Sequence, residues 1–438
     1  MSLEPRALNS PIRAAHNFGI ITSIMHWLTL LFIATVVVGT ALELWLSQRQ
    51  VAAVTAHRGR VPQPFADSVS AVEHEKAADY TIAKARFGRV AEIMNAVITL
   101  ALTVGGGIAA IDALWRHTSW TQPWLGAAVI GTVLLITGAL NLPLSIWSTF
   151  KLEARFGFNR TTPGLFVADL AKSLLLSILI GGPLLLATLT LMERAGQWWW
   201  VWAWLLWLAM MFIMTWAYPA VIAPLFNKFS PLKDEELKTR IEALLTRCGF
   251  KSQGVFVVDN SRRSSHGNAY FTGIGRNKRI VFFDTLLDRL AHPEVEAVLA
   301  HELGHFRLKH IRKRLLVSIA TTFIALAILG WLADQQTFYT ALGVPTPSTH
   351  AALLLFILAA PFFTFFITPW TSRWSRRHEF EADAFATQHA NPSDLTTALV
   401  KLYRDNASTL TPDPLYVAFH YSHPPALDRI TRLRPTPT

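Results

Sequence analysis

Seven long apolar stretches constrain this chain more than any other feature of its sequence. A helix needs about 20 mostly apolar residues to cross the hydrocarbon core of a bilayer. The chain is 52% hydrophobic, above the usual share for a soluble globular protein, so we interpret the stretches as membrane spans. The predicted spans are 18–46, 91–115, 124–148, 173–192, 198–226, 314–333 and 350–369.

The basic residues outside the spans indicate how the chain is oriented. The connections 47–90 and 149–172 are rich in lysine and arginine, whereas the opposite side carries few basic residues. Those few are Arg6, Arg13, Arg116 and Arg194. Because connections rich in Lys and Arg stay in the cytoplasm, we predict an external amino terminus and a cytoplasmic carboxyl terminus. The net charge of +11 then reflects these connections, and we expect no nucleic-acid partner.

The segment AVLAHELGHFRLKH, which begins at Ala297, contains no proline and is expected to be helical. On a helix, His301 and His305 are four residues apart and project from one face. Two imidazoles so placed can bind one zinc ion, and Glu302 lies beside it, where it can take a proton from a bound water. The alternative is a solvated helix whose histidines face water.

Catalytic zinc needs a third protein ligand and an open fourth position. The segment SRRHEFEADAFA offers three carboxylates, Glu379, Glu381 and Asp383. On a helix, Glu379 and Asp383 share a face and Glu381 points away from it. We therefore predict that Glu379 is the ligand and that Asp383 accepts a hydrogen bond from the far nitrogen of a ligand histidine. The alternative is an exposed acidic start of a helix.

Other metal arrangements fit the sequence less well. The single cysteine, Cys248, excludes intramolecular disulfides and thiolate clusters. Metzincins carry a third histidine six residues beyond the second, and Ile311 occupies that position here. Several basic residues follow the motif directly, so we expect the metal at the cytoplasmic boundary of the membrane rather than inside a span.

These patterns predict a mainly α, multi-pass membrane protein of about seven spans, with a split zinc-metalloprotease domain that contains a small β-sheet. Both polar regions fall on the cytoplasmic side because two spans separate them. The predicted parts are 1–226 (five spans, with a long cytoplasmic loop at 47–90), 227–313 (first catalytic part, with an edge strand and the HExxH helix), 314–369 (spans six and seven) and 370–438 (second catalytic part).

Several motifs together resemble the type 1 CAAX prenyl protease family, which are multi-span zinc endopeptidases of the gluzincin class. Besides AHELGH and SRRHEFEAD, they are RFGFNR at 155–160, PLFNKFSPL at 224–232, RSSHGNAYFTG at 263–273 and HYSHPPALDR at 420–429. The resemblance covers nearly the whole chain, and several long motifs in the right order are far more specific than one. It implies one Zn²⁺ per chain at the predicted ligands.

The resemblance also implies a role for the carboxyl-terminal motif. His423 resembles the histidine that stabilises the tetrahedral oxyanion, and Arg429 resembles its partner near the site. A hydrogen-donating or cationic group beside the metal is what the developing negative charge requires. The alternative for His423 is a turn residue held by Pro424 and Pro425.

One further segment is similar to the substrate-binding strand of the family. Asn268, Ala269, Tyr270 and Phe271 resemble an exposed strand that pairs with an extended substrate. Pairing through the backbone explains how a protease can hold a peptide with limited demand on its sequence. The alternative is an ordinary strand of the sheet.

The implied substrate is a peptide or protein, prenylated or associated with the lipid bilayer, from which a carboxyl-terminal tripeptide is removed. The compact chain looks like a bacterial member, in the inner membrane with its active site on the cytoplasmic side. One alternative is a membrane quality-control zinc protease with unprenylated substrates. Another is a non-catalytic transporter or scaffold with a structural zinc site, against which Glu302 argues because a structural site needs no base.

Overall fold

A computed structural model of the protein describes residues 26–250, 252, 254–272 and 279–433. The start of the first predicted span, residues 18–25, lies outside the described residues, as do Arg6 and Arg13. The described part is mainly helical. Its α-helices are α1 Trp27–Ala56, α2 Ala71–Leu102, α3 Gly107–Arg116, α4 Trp124–Trp147, α5 Pro163–Leu176, α6 Gly182–Arg194, α7 Trp199–Ala217, α8 Ala223–Phe226, α9 Glu235–Arg247, α10 Asp284–Leu287, α11 His292–Arg307, α12 His310–Ala333, α13 Gln336–Ala341, α14 Thr349–Thr364, α15 Thr368–His389, α16 Pro392–Asp405, α17 Pro414–His420 and α18 Ala426–Leu433.

Six continuous helices of the described residues are long and apolar enough to cross a membrane, and a bent pair makes a seventh candidate. Short 3₁₀ or π-helical turns join several neighbouring helices into one span. The six are Trp27–Ala56, Trp124–Glu153, Pro163–Arg194, Gly196–Phe226, His310–Ala333 and Thr349–His389. The spans bury one large apolar core against one another.

The predicted span 91–115 differs from a single straight helix. It is formed by α2 and α3, which are bent by 49° at their junction. Gly106, at the start of α3, has φ of +78°, a conformation that glycine adopts without the steric cost borne by other residues. The bend therefore lies where the sequence supplies consecutive glycines.

The predicted loop at 47–90 is mostly helical, which corrects that part of the prediction. Helix α1 continues to Ala56, and α2 already begins at Ala71. Ser70 starts α2 with a capping box, in which its hydroxyl accepts from the Glu73 amide and the Glu73 carboxylate accepts from the Ser70 amide. Charged residues are costly in hydrocarbon but carry no such cost in a helix that lies in water. The end of an apolar stretch therefore indicates where the chain leaves the bilayer and not where the helix ends.

A four-stranded mixed sheet lies in the polar region between the fifth and sixth spans. Its strands are β1 Phe229–Pro231, β2 Val255–Val258, β3 Ala269–Thr272 and β4 Arg279–Phe283, in the order β1-β2-β4-β3. Strand β2 is parallel to β4, whereas the two outer strands are antiparallel to their neighbours. Its apolar face shares a core with α9, α11 and α16.

Helices α11 and α15, which carry the two predicted zinc motifs, pack closely against each other. Their separation is small because Gly304 of the HExxH motif faces α15. A Cβ at this position would lie 3.0 Å from Ala382 Cα and 3.1 Å from the Ala382 carbonyl oxygen. The glycine thus permits an approach that brings two distant parts of the chain together.

Candidate metal centre

Three potential ligand atoms from α11 and α15 converge on one point. His301 Nε2 and His305 Nε2 are 3.3 Å apart. One carboxylate oxygen of Glu379 is 3.5 Å from His301 Nε2, and the other is 3.3 Å from His305 Nε2. The histidines project from one face of α11, one turn apart, and α15 supplies the carboxylate from across the helix interface.

The residues fit a tetrahedral metal ion. Ligand atoms about 2.0–2.1 Å from a tetrahedral zinc ion lie about 3.3–3.4 Å from one another, which is close to the 3.3 Å between the two ring nitrogens and the 3.3–3.5 Å from each of them to a Glu379 oxygen. Glu379 is buried, and its Oε2 atom has no hydrogen-bond partner among the described residues. A buried carboxylate oxygen without a partner is costly. A cation bound at this point would supply the partner that Glu379 Oε2 lacks.

Asp383 and Arg429 lie behind His301, on the side away from the ligand atoms. His301 Nδ1 donates to Asp383 Oδ1 at 2.8 Å, and the Arg429 guanidinium donates to both oxygens of the same carboxylate. Burial alone would lower the pKa of His301, but the adjacent carboxylates of Asp383 and Glu379 raise it to about 9. The Asp383 contact fixes the ring and leaves Nε2 directed at the metal position.

The predicted oxyanion role of Arg429 stays a prediction. Arg429 is buried, and its Nη2 atom is 3.3 Å from His301 Nδ1, the ring nitrogen that faces away from Glu379. A guanidinium in this position holds the Asp383 carboxylate directly. The sequence pattern placed it near the site but could not tell which side of the ring it occupies.

Glu302 follows the first ligand histidine on α11. Burial raises the pKa of its carboxyl group, and the neighbouring rings of His301 and His305 oppose that shift. Among the described residues, the Glu302 side chain has no hydrogen-bond or ion-pair partner. A carboxylate with a raised pKa is a better proton acceptor at neutral pH than an ordinary glutamate.

His423 approaches the same point from the loop before α18. Its Nε2 atom is 3.5 Å from Glu379 Oε1, and its Nδ1 atom is 3.0 Å from the Ser422 hydroxyl. The side chain is 66% exposed, so it faces open space and not the protein interior. This combination leaves its ring nitrogen accessible to a bound substrate.

The predicted substrate strand forms β3, which contacts α11 and lies at the edge of the sheet. Asn268 lies just before the strand, and its carbonyl accepts from the Phe283 amide of β4 at 3.0 Å. Bonded and non-bonded pairs alternate in an antiparallel ladder. The backbone groups of Ala269 and Phe271 consequently point away from β4, towards the open edge, whereas those of Tyr270 point towards β4.

A cavity of about 730 Å³ opens beside His423, between the carboxyl-terminal helices and the extensions of α1 and α2. Its wall includes charged residues that the sequence analysis did not assign to the site: Glu43, Lys84, Arg89 and Glu92. They lie in the predicted loop or at span ends. A usable signal was the four-residue spacing of Lys84, Gly88 and Glu92, which places all three on one face of a helix.

Comparison with known proteins identifies the family. Residues 50–228 match the family described as "CAAX prenyl protease N-terminal, five membrane helices", and residues 231–436 match "Peptidase family M48". The "CAAX prenyl protease 1 homolog" of Arabidopsis thaliana is 33% identical over 89% of this chain and 93% of its own length. The chain belongs to this family of CAAX prenyl proteases. It is a membrane-embedded metallopeptidase, and the family implies a metal ion, typically zinc.

Other members of the M48 family agree over similar lengths. "CAAX prenyl protease 1" of Saccharomyces cerevisiae is 33% identical and covers 89% of this chain and 92% of its own. A crystal structure of Ste24p from S. mikatae superposes with a TM-score of 0.85 at 31% identity, covering 93% of this chain and 99% of that one. These matches confirm the predicted family and the predicted mainly α, multi-span fold with a metallopeptidase domain.

Proposed function

We propose that this metallopeptidase binds one Zn²⁺ per chain through His301, His305 and Glu379 and hydrolyses peptide bonds with Glu302 as general base. The observation that carries the proposal is the convergence of these three side chains, in which the two ring nitrogens lie 3.3 Å apart and each lies 3.3–3.5 Å from one of the two Glu379 oxygens. A bound zinc ion would polarise the substrate carbonyl and lower the pKa of a water in the fourth position.

In this mechanism the protein residues move one proton and stabilise one charge. Glu302 accepts the proton of the attacking water and then passes it to the leaving amine. His423 donates a hydrogen bond to the developing oxyanion from the cavity side of the site. Asp383 holds the His301 ring, and Arg429 holds Asp383. The backbone of Ala269 and Phe271 pairs with the extended substrate along the open edge of β3.

The substrate we propose is a carboxyl-terminal peptide with an attached isoprenoid, as the names of the relatives indicate for those proteins. A second cavity of about 340 Å³ shares Glu43 and Glu92 with the larger one and extends along α14. Its apolar lining residues include Ile357, Leu358, Phe362 and Phe365. A cavity with several charged side chains in its wall beside the metal centre, and a neighbouring cavity with apolar side chains along α14, suit a peptide with a lipid chain.

We also propose that the active site faces the cytoplasm and that the catalytic unit is split between 227–313 and 370–438. Support comes from contacts between the predicted cytoplasmic segments. Arg263 pairs with Asp169, and Arg49 pairs with Asp413. The basic connections therefore lie on the same side as the catalytic parts. The compact insertion of about 87 residues at 227–313 accords with the expected inner membrane of a bacterium.

The substitution Glu302→Gln tests the mechanism. The variant should keep its metal ion, because Glu302 is not one of the proposed ligands. Its rate of peptide cleavage should fall by about 10²–10⁴-fold, the usual contribution of a positioned acid or base. Metal analysis and cleavage of a fluorogenic peptide measure the two effects separately. Normal cleavage by this variant would refute the role of Glu302.

A substrate comparison tests the specificity. The wild-type enzyme should cut a farnesylated CAAX peptide much faster than the same peptide without the lipid, because the isoprenoid buries apolar surface that the free peptide lacks. Equal cutting of both peptides, together with cutting of an unprenylated membrane polypeptide, would favour the quality-control alternative.

A further inference from the structure

The far nitrogen of His305 faces another histidine. His305 Nδ1 lies 3.0 Å from His310 Nδ1, and His310 Nε2 lies 3.0 Å from Glu381 Oε2. His310 is only 1% exposed. The Glu381 carboxylate is held from its other side by Arg377, whose Nε donates to Oε1 at 3.0 Å.

The direction of each hydrogen bond follows from the chemistry of the ligand. A neutral His305 that binds a metal ion through Nε2 must carry its hydrogen on Nδ1. It then donates to His310 Nδ1, which must accept, so His310 carries its hydrogen on Nε2. That hydrogen in turn points at the Glu381 carboxylate, which accepts it. A single arrangement of hydrogens thus satisfies all three groups.

We propose that His310 is the positioning residue for the ligand His305 and that Glu381 fixes the tautomer of His310. The inference rests on the proposed metal site. The other ligand histidine, His301, is held directly by Asp383 at 2.8 Å. His305, in contrast, contacts the His310 ring, and His310 in turn contacts the Glu381 carboxylate. Such partners orient the ligand ring and increase its basicity.

The arrangement joins three helices at the membrane boundary. His305 lies on α11, Glu381 lies on α15, and His310 is the first residue of α12, the sixth span. Lys309 separates α11 from α12 with φ of +60°, a left-handed conformation that is rare for residues other than glycine. This turn directs the His310 ring back at His305, and the orientation of the metal ligand becomes linked to the start of a membrane helix.

The same residues could be interpreted as a second metal site, since His310, His378 and Glu381 have ligand atoms close together. The ring geometry argues against it. The rings of His310 and His378 are stacked, with centroids 4.0 Å apart and planes 11° apart. Ring nitrogens bind metals in the plane of the ring, so two parallel stacked rings cannot both direct a lone pair at one ion. His378 packs on the face of His310 instead.

Metal affinity of purified full-length enzyme, measured by competition with a chelator, tests the proposal. His310→Ala should weaken zinc binding by about 10–100-fold, the usual effect of removing such a partner. His310→Asn can still accept a hydrogen bond near the Nδ1 position and should lose less. The absorption bands of the Co²⁺-substituted enzyme should shift in His310→Ala, because a freed His305 ring changes the ligand geometry.

The matched control is His378→Phe, which keeps an aromatic ring stacked on His310 and removes only the two ring nitrogens of His378. It should bind zinc as wild type does, with one ion per chain. Unchanged affinity and unchanged Co²⁺ bands in both His310 variants would overturn the proposal. Two ions in wild type and one in His378→Phe would also overturn it, in favour of a second metal site.

Including His301→Ala separates failure of this proposal from failure of the proposed function. If His301→Ala binds zinc as wild type does, the metal site itself is wrong. If His301→Ala loses zinc and His310→Ala does not, only the positioning role fails.

Discussion

Arg429 forms a buried ion pair with Asp383 at the site. Both Arg429 and Asp383 are buried, and two hydrogen bonds join them directly behind His301. A buried carboxylate that loses its partner is strongly destabilising, by about 3–5 kcal/mol. The position of Arg429 therefore links the stability of the fold to the orientation of His301, a proposed metal ligand.

Arg429→Met tests this interpretation against a direct role at the oxyanion. The variant should unfold at a lower temperature and bind zinc more weakly, because Asp383 loses its counter-charge and holds His301 less firmly. Thermal unfolding in detergent and chelator competition measure both effects. Arg432→Met, a change at an exposed position of the same helix, should have a much smaller effect. A fall in kcat with unchanged zinc affinity and stability would instead favour the oxyanion role.

At the residue scale, the sequence identified the chemistry better than the geometry. Helical periodicity was enough to propose a shared face for His301 and His305 and to prefer Glu379 to Glu381 as ligand. It could not reveal the His305–His310–Glu381 chain, because that contact depends on the turn at Lys309 and on the packing of α11 against α15. Spacing along one helix carries no information about a neighbouring helix.

The edge strand β3 offers a test at the scale of one element. Ala269→Pro removes an amide hydrogen at the open edge, where it donates to the Asn268 side-chain oxygen at 2.8 Å and where proline is tolerated. The fold should survive, and KM for peptide substrates should rise because one backbone hydrogen bond to the substrate is lost. Steady-state kinetics and thermal unfolding separate these effects.

Tyr270→Pro is the matched comparison, because its amide points towards β4 and belongs to the sheet. It should lower the melting temperature clearly more than Ala269→Pro does. The proposed pairing edge would be wrong if Ala269→Pro destabilised the fold and left KM unchanged at the permissive temperature.

Helices that cross the membrane were predicted well, because the length of their apolar stretch identifies them. Helical segments outside the bilayer were predicted poorly, because no such stretch marks them. The spans stand out because each exceeds the length that the bilayer demands. The continuation of α1 to Ala56 and the early start of α2 were missed, although Ser70 and Glu73 form a recognisable capping box. These helix extensions form one wall of the large cavity, so the sequence did not show that residues of the predicted loop, such as Lys84, lie beside the site.

Orientation in the membrane is a property of the whole molecule. The account predicts that the connection after α1 faces the cytoplasm and that the turn between α3 and α4 faces the opposite side. Single cysteines introduced by Arg60→Cys and Thr118→Cys, both at exposed positions, can be labelled in cells with a membrane-impermeant thiol reagent. Thr118→Cys should react in intact cells, and Arg60→Cys should react only after lysis.

The native Cys248 is buried and should stay unlabelled in the folded protein, which provides an internal control. The reverse pattern of labelling would place the active site outside the cytoplasm and would contradict the proposed localisation.

At the scale of the whole molecule, the central feature is the meeting of two segments that are separated by two membrane spans. No local pattern in the sequence determines that α11 and α15 touch. The topology requires only that both face the same side of the membrane. The close approach depends on Gly304, on the cores beneath the two helices and on the spans that connect them.

Metal content of purified Glu379→Ala, compared with wild type and with Glu381→Ala, tests this convergence most directly. The three proteins differ only at Glu379 and Glu381, the two carboxylates of α15 whose roles are compared. Wild type should retain about one zinc ion per chain. Glu381→Ala should keep most of its zinc, because it removes only the distal partner of His310, whereas Glu379→Ala removes a ligand and should lose most of its zinc. Zinc retained by Glu379→Ala and lost by Glu381→Ala would contradict the account, because the helix face that meets the two histidines would then be the wrong one.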